Sequence, residues 1–321
     1  MRTRGPRVDA LAVRRTLRDA GIRARHGLSQ NFLADPDVLE AILAEADPGP
    51  GRGILEIGPG LGLLTGALLD AGAAVTAVEL DHGLAHLLRE RFADALVEGD
   101  RDTPDRLSGL RLIEGDALDE DLTRLAPAPY DVVANLPYHI TSPVLHRLLG
   151  TSPRPERLVL MVQREVAQRI AAPPGRMSYL SVFVQYHARV RIALDVPPEA
   201  FEPAPAVASA VIVLEPYPED DRLADADVED ELWRLVQAGF RERRKMLHNV
   251  LTRQLPVPAD RVQAALAAAG IEPDRRPQTL AVGEWLRLRE ELGAIGQDRR
   301  GRAGQGKARD RRAALDGADD T

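Results

Sequence analysis

Ile54-Leu55-Glu56-Ile57-Gly58-Pro59-Gly60-Leu61-Gly62 reads as a short apolar strand that runs directly into a glycine turn. The residues that follow, with Leu63, Leu64, Leu68 and Leu69 on one side, read as a helix, so the unit is strand, tight turn, helix. Such a unit recurs along the chain. Ala74 to Val78 predicts a second strand ended by Glu79, and Leu84 to Phe92 a second helix. Arg111-Leu112-Ile113 predicts a third strand leading to Gly115-Asp116-Ala117, Tyr130 to Ala134 a fourth and Leu158 to Val162 a fifth. Short apolar strands alternating with helices indicate an α/β fold, a Rossmann-like, mostly parallel sheet with helices on both faces.

The glycine turn also says what the sheet holds. A dinucleotide fingerprint needs glycine at position 63, where this chain has Leu63, so NAD loses ground. What remains, Glu56-x-Gly58-x-Gly60-x-Gly62, permits close backbone approach by a ligand at the C-terminal end of a strand. Glu79, about 20 residues past the loop, is spaced to accept from both hydroxyls of a ribose. Asp116, at the tip of the third strand, suits an adenine amino group. An acid at a strand tip is ordinarily a solvated turn residue, but three successive tips with ligand-type groups make a site. Acidic partners without an arginine fork for phosphate suit S-adenosylmethionine.

The fourth tip carries Asn135-Leu136-Pro137-Tyr138. The Asn135 side-chain oxygen and the Leu136 carbonyl can both accept from an exocyclic amine, Pro137 fixes the backbone, and Tyr138 offers a face for a stacked base. An adenine N6 fits this holder. Two acceptors pulling on its hydrogens favour the pyramidal nitrogen that attacks an electrophilic methyl group, without a side-chain nucleophile. Alone, the four residues also suit an ordinary strand-ending turn.

Composition bounds the alternatives. The 321 residues suffice for one large domain and a small one, and the absence of cysteine excludes disulfides, thiolate metal sites and cysteine nucleophiles. No apolar run reaches membrane-spanning length and no hydrophobic core follows Arg2, Arg4 and Arg7, so a cytoplasmic protein without signal peptide, membrane or metal is expected. The net charge of −7 is unevenly spread. Basic residues concentrate in the N-terminal arm (Arg2 to Arg25) and in Arg241, Arg243, Arg244 and Lys245. In the arm, Val8 to Ala20 predicts a helix stopped at Gly21. The polar loop His26 to Leu33 leads to Asp35-Pro36, a helix N-cap and first-turn pair.

Gln30-Asn31-Phe32-Leu33, Glu56-Ile57-Gly58-Pro59-Gly60, Glu79, Gly115-Asp116-Ala117 and Asn135-Leu136-Pro137-Tyr138 together resemble the motifs of the rRNA adenine N6,N6-dimethyltransferases. The likeness continues through Pro197 to Val207 with Ser209 and through Phe240-x-x-Arg243-Arg244-Lys245-x-Leu247. It covers nearly the whole chain apart from the first residues, the loop after Asp94 and the tail. Within the family the chain is most similar to the enzymes that dimethylate two adjacent adenosines near the 3′ end of small-subunit (16S) rRNA. The resemblance implies that Asn31, Leu33, Gly58, Glu79, Asp116 and Asn135 hold S-adenosylmethionine. It implies that Asn135, Leu136 and Tyr138 hold the adenine, that Phe201 closes over it, and that the partner is 16S rRNA in an assembling small subunit met by a monomer. Where the family usually has Lys and Asp around Val207, this chain has Ala206 and Ala208. A resistance-type enzyme of large-subunit (23S) rRNA shares these motifs, and an assembly factor whose methylation is incidental is a further alternative.

The sequence divides into a methyltransferase domain with its basic arm over 1–215, a small helical domain over 216–295 and a disordered tail over 296–321. Pro216-Tyr217-Pro218 and the acidic stretch after it read as a linker. Helices are expected over Leu232–Phe240, Lys245–Leu255, Asp260–Ala269 and Gly283–Leu292. Arg243, Arg244 and Lys245 read either as a solvated helix face or, with the family likeness, as contacts to rRNA phosphates.

Overall fold

The computed structural model describes residues 10–22, 30–97, 108–218 and 226–295. The loop after Asp94 is described only at its ends. The tail from residue 296, Arg2, Arg4, Arg7, Arg23, Arg25 and the His26–Ser29 stretch lie outside the described residues. The chain forms two compact units, 1–222 and 223–321.

In the first unit the strands are β1 (Phe32–Leu33), β2 (Gly53–Ile57), β3 (Ala74–Glu79), β4 (Gly109–Glu114), β5 (Tyr130–Asn135), β6 (Leu158–Gln163), β7 (Ala188–Val196), β8 (Phe201–Glu202) and β9 (Ser209–Pro216). Seven of them form one sheet in the order β4-β3-β2-β5-β6-β9-β7. From β4 to β6 neighbours are parallel, while β9 runs antiparallel to β6 and β7 antiparallel to β9. Every residue of β2 and β3 is buried, which is why these strands read as largely apolar runs. The strand order reverses between β2 and β5, and ligands bind beyond the carboxyl ends of the strands at such a switch point.

Helices α1 (Ala10–Asp19), α2 (Pro36–Ala46), α3 (Leu63–Asp70), α4 (His82–Arg91), α5 (Leu122–Leu125), α6 (Thr141–Gly150), α7 (Arg164–Ile170) and α8 (Tyr179–His187) complete this unit. The expected cap of α2 is present: the Asp35 carboxylate accepts from the amides of Asp37 (2.9 Å) and Val38 (3.4 Å), with Pro36 in the first turn. Sequence reading missed the antiparallel pair β7–β9. Arg189, Arg191 and Asp195 break the apolar pattern of β7, which is an edge strand with a partly exposed face, and a proline-rich connection separates it from β9.

The second unit consists of α9 (Ala226–Phe240), α10 (Leu247–Gln254), α11 (Ala259–Ala268) and α12 (Val282–Leu292). Leu235, Val236, Val250, Val262, Trp285 and Leu288 are fully buried there. Helix α9 starts six residues before its expected start at Leu232. The acidic residues taken for linker, Asp227 and Glu229, lie in its first turn, where carboxylates stabilise the positive end of a helix.

Gly62 sets the packing of the glycine turn. It is the N-cap of α3 with φ of 76°, and a Cβ there would stand 2.6 Å from both Leu88 Cδ2 and Phe92 Cε2. Gly62→Ala therefore adds a left-handed alanine and a clash with α4, together costing about 2–4 kcal/mol. The expected result is a fall in melting temperature of roughly 5–15 °C; an unchanged melt contradicts this account of the turn.

Candidate active site

A cavity of about 480 Å³ lies at the carboxyl ends of β2, β3, β4 and β5. Its wall contains Asn31, Leu33, Gly58, Glu79, Asp116, Asn135, Leu136 and Tyr138, so the topology gathers residues that are more than 100 positions apart in sequence.

The loop after β2 is closed down on its neighbours. Gly58 has φ of 72°, its amide donates to the Val78 carbonyl (2.9 Å), and a Cβ would reach 3.4 Å from Pro137 Cδ. The glycine turn thus abuts the Asn-Leu-Pro-Tyr turn directly. Two residues on, the Gly60 amide donates to Glu79 Oε2 (3.0 Å), while the Asp81 amide donates to Oε1 of the same carboxylate (2.8 Å). Glu79 is buried, and burial pushes its carboxyl above the usual range, partly offset by those amides. Held by backbone donors, its oxygens are fixed in place and keep lone pairs for further donors. Asp116 is half-buried and is fixed likewise, accepting from the Leu118 amide (2.8 Å).

The Asn135 side chain is oriented by the protein. Its Nδ2 donates to the Asn31 carbonyl at 3.3 Å, which assigns the other end of the amide, Oδ1, to the role of acceptor. Leu136 is fully buried and its amide donates to the Met161 carbonyl (3.1 Å), so the backbone between the two acceptors is anchored to β6. Tyr138 begins a single helical turn, Tyr138–Ile140, and is half-buried. Its hydroxyl lies 2.8 Å from Ser209 Oγ.

Phe201 is placed elsewhere. It is 2 % exposed, packs in the hydrophobic core with Leu33, Val211 and Val213, and is absent from the cavity wall. The cause is the pairing of β8 with β1, which sets Phe201 opposite Leu33 and is reinforced by the Ala34 and Asp35 amides donating to the Ala200 carbonyl.

Sequence reading did not find several wall residues. Ala12, Val13 and Thr16 of α1 line the cavity, and Leu80, half-exposed, offers it an apolar surface. Glu56, quoted only as part of the glycine motif, lines it as a fully buried acid whose Oε2 accepts from Thr65 Oγ1 (2.7 Å). Burial and the nearby Glu79 push the Glu56 carboxyl up to about 8, opposed by the Thr65 hydrogen bond. No local sequence signal separates a buried acid from a solvated one. Arg91, also in the wall, donates to the Leu61 carbonyl (2.6 Å).

The donor set fits S-adenosylmethionine. Fixed acceptors at Glu79 and Asp116 match hydroxyl and amino hydrogens, apolar walls at Ile57, Leu61 and Leu80 match a purine, and the glycine backbone allows close approach. Among the described residues no group of His, Cys, Asp and Glu is placed to hold a metal ion, and no helix is long and apolar enough to cross a membrane.

A mixed sheet of this order, with acids on two successive strand tips and the Asn135-Leu136-Pro137-Tyr138 turn on the next, has the layout of a nucleoside-binding methyltransferase. The family model for ribosomal RNA adenine dimethylase matches residues 21–293, and the chain belongs to that family. It is 42% identical over 287 residues to the Ribosomal RNA small subunit methyltransferase A of Geobacter sulfurreducens, covering 87% of this chain and 99% of the relative. To the protein of the same description from Parasynechococcus marenigrum it is 43% identical over 304 residues, covering 90% and 96%. Among solved structures, the 23S rRNA methyltransferase ErmE superposes with a TM-score of 0.63 at 29% identity, covering 82% of this chain and 99% of that one. A dimethyladenosine transferase from Plasmodium falciparum gives 0.65 at 26% identity, covering 80% and 95%. The chain is an rRNA adenine dimethyltransferase, and S-adenosylmethionine is its methyl donor.

Glu56 gives the fold a pH dependence of definite sign. Its carboxyl holds a proton more tightly when folded (about 8) than in the unfolded chain, where an ordinary glutamate titrates near 4.3. The stabilisation is complete below the unfolded value and is lost as pH rises through about 8. Glu56→Gln keeps the shape without the titration. Melting temperatures measured from pH 5.5 to 8.5 are expected to fall more steeply in the parent than in Glu56→Gln; parallel slopes contradict a protonated Glu56.

Proposed function

We propose that this chain methylates N6 of two adjacent adenosines near the 3′ end of small-subunit (16S) rRNA, giving N6,N6-dimethyladenosines, and that it acts on an assembling small ribosomal subunit. The observation that carries the chemistry is the oriented Asn135 amide, tied by Nδ2 to the Asn31 carbonyl beside the glycine turn. The small-subunit target is supported by relatives above 40% identity that the chain matches over nearly their full length.

S-adenosylmethionine, when bound, supplies an electrophilic methyl group. On this reading Glu79 and Asp116 accept from the hydroxyl and amino groups of its nucleoside, and Asn31, Leu33 and Gly58 complete its wall. Asn135 Oδ1 and the Leu136 carbonyl accept from the target amine and draw its lone pair out of conjugation, and Tyr138 supplies the stacking face. These groups are positioned before the substrate arrives, so little reorganisation is needed during transfer. On this reading Phe201 closes over the base only after a movement of the two-residue ribbon β1–β8. The chain acts as a monomer in the cytoplasm on this reading, with no metal.

Arg243, Arg244 and Lys245 are exposed and, among the described residues, form no ion pair. The one acid in their segment, Glu242, is taken by Arg253 (3.0 Å) and Gln254 (3.4 Å), so the three cations are not neutralised locally. That arrangement supports contacts to rRNA phosphates. Replacing all three by alanine should weaken particle binding and lower the slope of log Kd against log salt by roughly 2. An unaltered slope returns them to a solvated face.

The target is tested directly by incubating the protein with S-adenosylmethionine and ribosomal particles lacking these modifications, then mapping methyl groups by mass. Two adjacent dimethyladenosines in small-subunit rRNA are expected. Modification confined to large-subunit rRNA contradicts the proposal.

A further inference from the structure

Tyr138 sits in a turn, where a side chain has few neighbours to fix it, yet a stacking face works only if its plane is fixed. Its hydroxyl meets Ser209 Oγ at 2.8 Å. Ser209 is fully buried and stands at the start of β9, paired to β6 at Gln163 on one side and to β7 at Val196 on the other. The residue before it is also pinned, its Ala208 carbonyl accepting from the Arg164 amide at 2.9 Å. The anchor therefore belongs to the rigid interior of the sheet, and the ring it holds belongs to the cavity wall.

We infer that Ser209 is a positioning residue for methyl transfer: through the Tyr138 hydroxyl it fixes the aromatic face on which the target adenine stacks. The inference rests on the reading of Tyr138 as the base platform. It assigns the two parts of the tyrosine to different partners. The phenol is committed to the protein, so only the ring face meets the substrate. The bond also joins the turn after β5 to the start of β9, so the turn that carries Tyr138 is referred to a point in the sheet.

The pair is asymmetric, which makes it testable. In Ser209→Ala the half-buried Tyr138 hydroxyl can turn to water and the ring loses its anchor. In Tyr138→Phe the fully buried Ser209 hydroxyl is left without its partner, and an orphaned buried group costs more than removal of both partners. Tyr138→Phe is therefore harmful although the ring is kept, and the double variant is no worse than Tyr138→Phe alone.

The test is single-turnover methylation of small-subunit particles by Ser209→Ala, Ser209→Thr, Tyr138→Phe, Tyr138→Phe/Ser209→Ala and Tyr138→Ala, with S-adenosylmethionine affinity and melting temperature measured on each. Ser209→Ala is expected to lower the rate about 10-fold, the effect of one hydrogen bond. Cofactor affinity should be unchanged and the melt within a few degrees, and Ser209→Thr should regain most of the rate. Parental rates in Ser209→Ala beside an inactive Tyr138→Ala overturn the link while leaving Tyr138 as the platform. So does a rate loss that follows the melting temperature and is not rescued by threonine. Full activity in Tyr138→Ala overturns the platform and the link with it. If Ser209→Ala does not fold, Tyr138→Phe, which leaves β9 intact, decides: a parental rate there overturns the inference.

Discussion

The site depends on the close approach of two strand ends. Gly58, past β2, must pass near enough to Pro137, past β5, that a single added carbon would sit 3.4 Å from the proline ring, and it does so with a left-handed backbone. That approach is available because β2 and β5 are neighbours at the point where the strand order reverses. It puts the glycine turn against the Asn135-Leu136-Pro137-Tyr138 turn in one cavity wall, the two turns proposed to meet the methyl donor and the target base. With φ of 72°, position 58 adopts a backbone that favours glycine over any residue with a side chain.

Around this contact the polar groups are held by hydrogen bonds from the protein. Glu79 is gripped by two backbone amides, Asp116 by one and Asn135 by the Asn31 carbonyl. Burying acids is unfavourable, and at Glu56 burial pushes the carboxyl up to about 8 while Thr65 donates to it. The result is a cavity with fixed acceptors. On the proposed function, a target amine meets hydrogen-bond partners whose geometry is set beforehand, which is where electrostatic catalysis gains its advantage.

Much of this was legible in the sequence because it is local. Strands β2, β3, β5 and β6 are almost wholly buried and announce themselves as largely apolar runs, and each ligand-type residue ends its strand or follows it within two residues. Leu63 in place of a third glycine weakened the dinucleotide reading from spacing alone. What was not legible is non-local. The Tyr138–Ser209 bond spans 71 residues, and β7 is an edge strand whose arginines conceal it. The part of α1 in the cavity wall follows from packing of Val13 against Phe32, Leu61 and Leu84, three separate segments. Phe201 shows the limit of carrying a role over by likeness. Its position in the motif is clear, while its burial beside Leu33 comes from a pairing that no pattern in the sequence displays.

The central claim is that Asn135, held by Asn31, acts on the amine during transfer more than on binding. Its contribution then grows as the nitrogen gains positive charge. The second methyl is added to an amine that has already lost one hydrogen, so only one of the two acceptors remains engaged. The measurement is single-turnover kinetics of Asn135→Ala that resolve monomethyl- from dimethyladenosine. The account predicts a fall of roughly 10²–10³ in the first transfer, the size seen when one preorganised polar group is removed from a developing charge, and a smaller fall in the second. Parental rates for both transfers would contradict it.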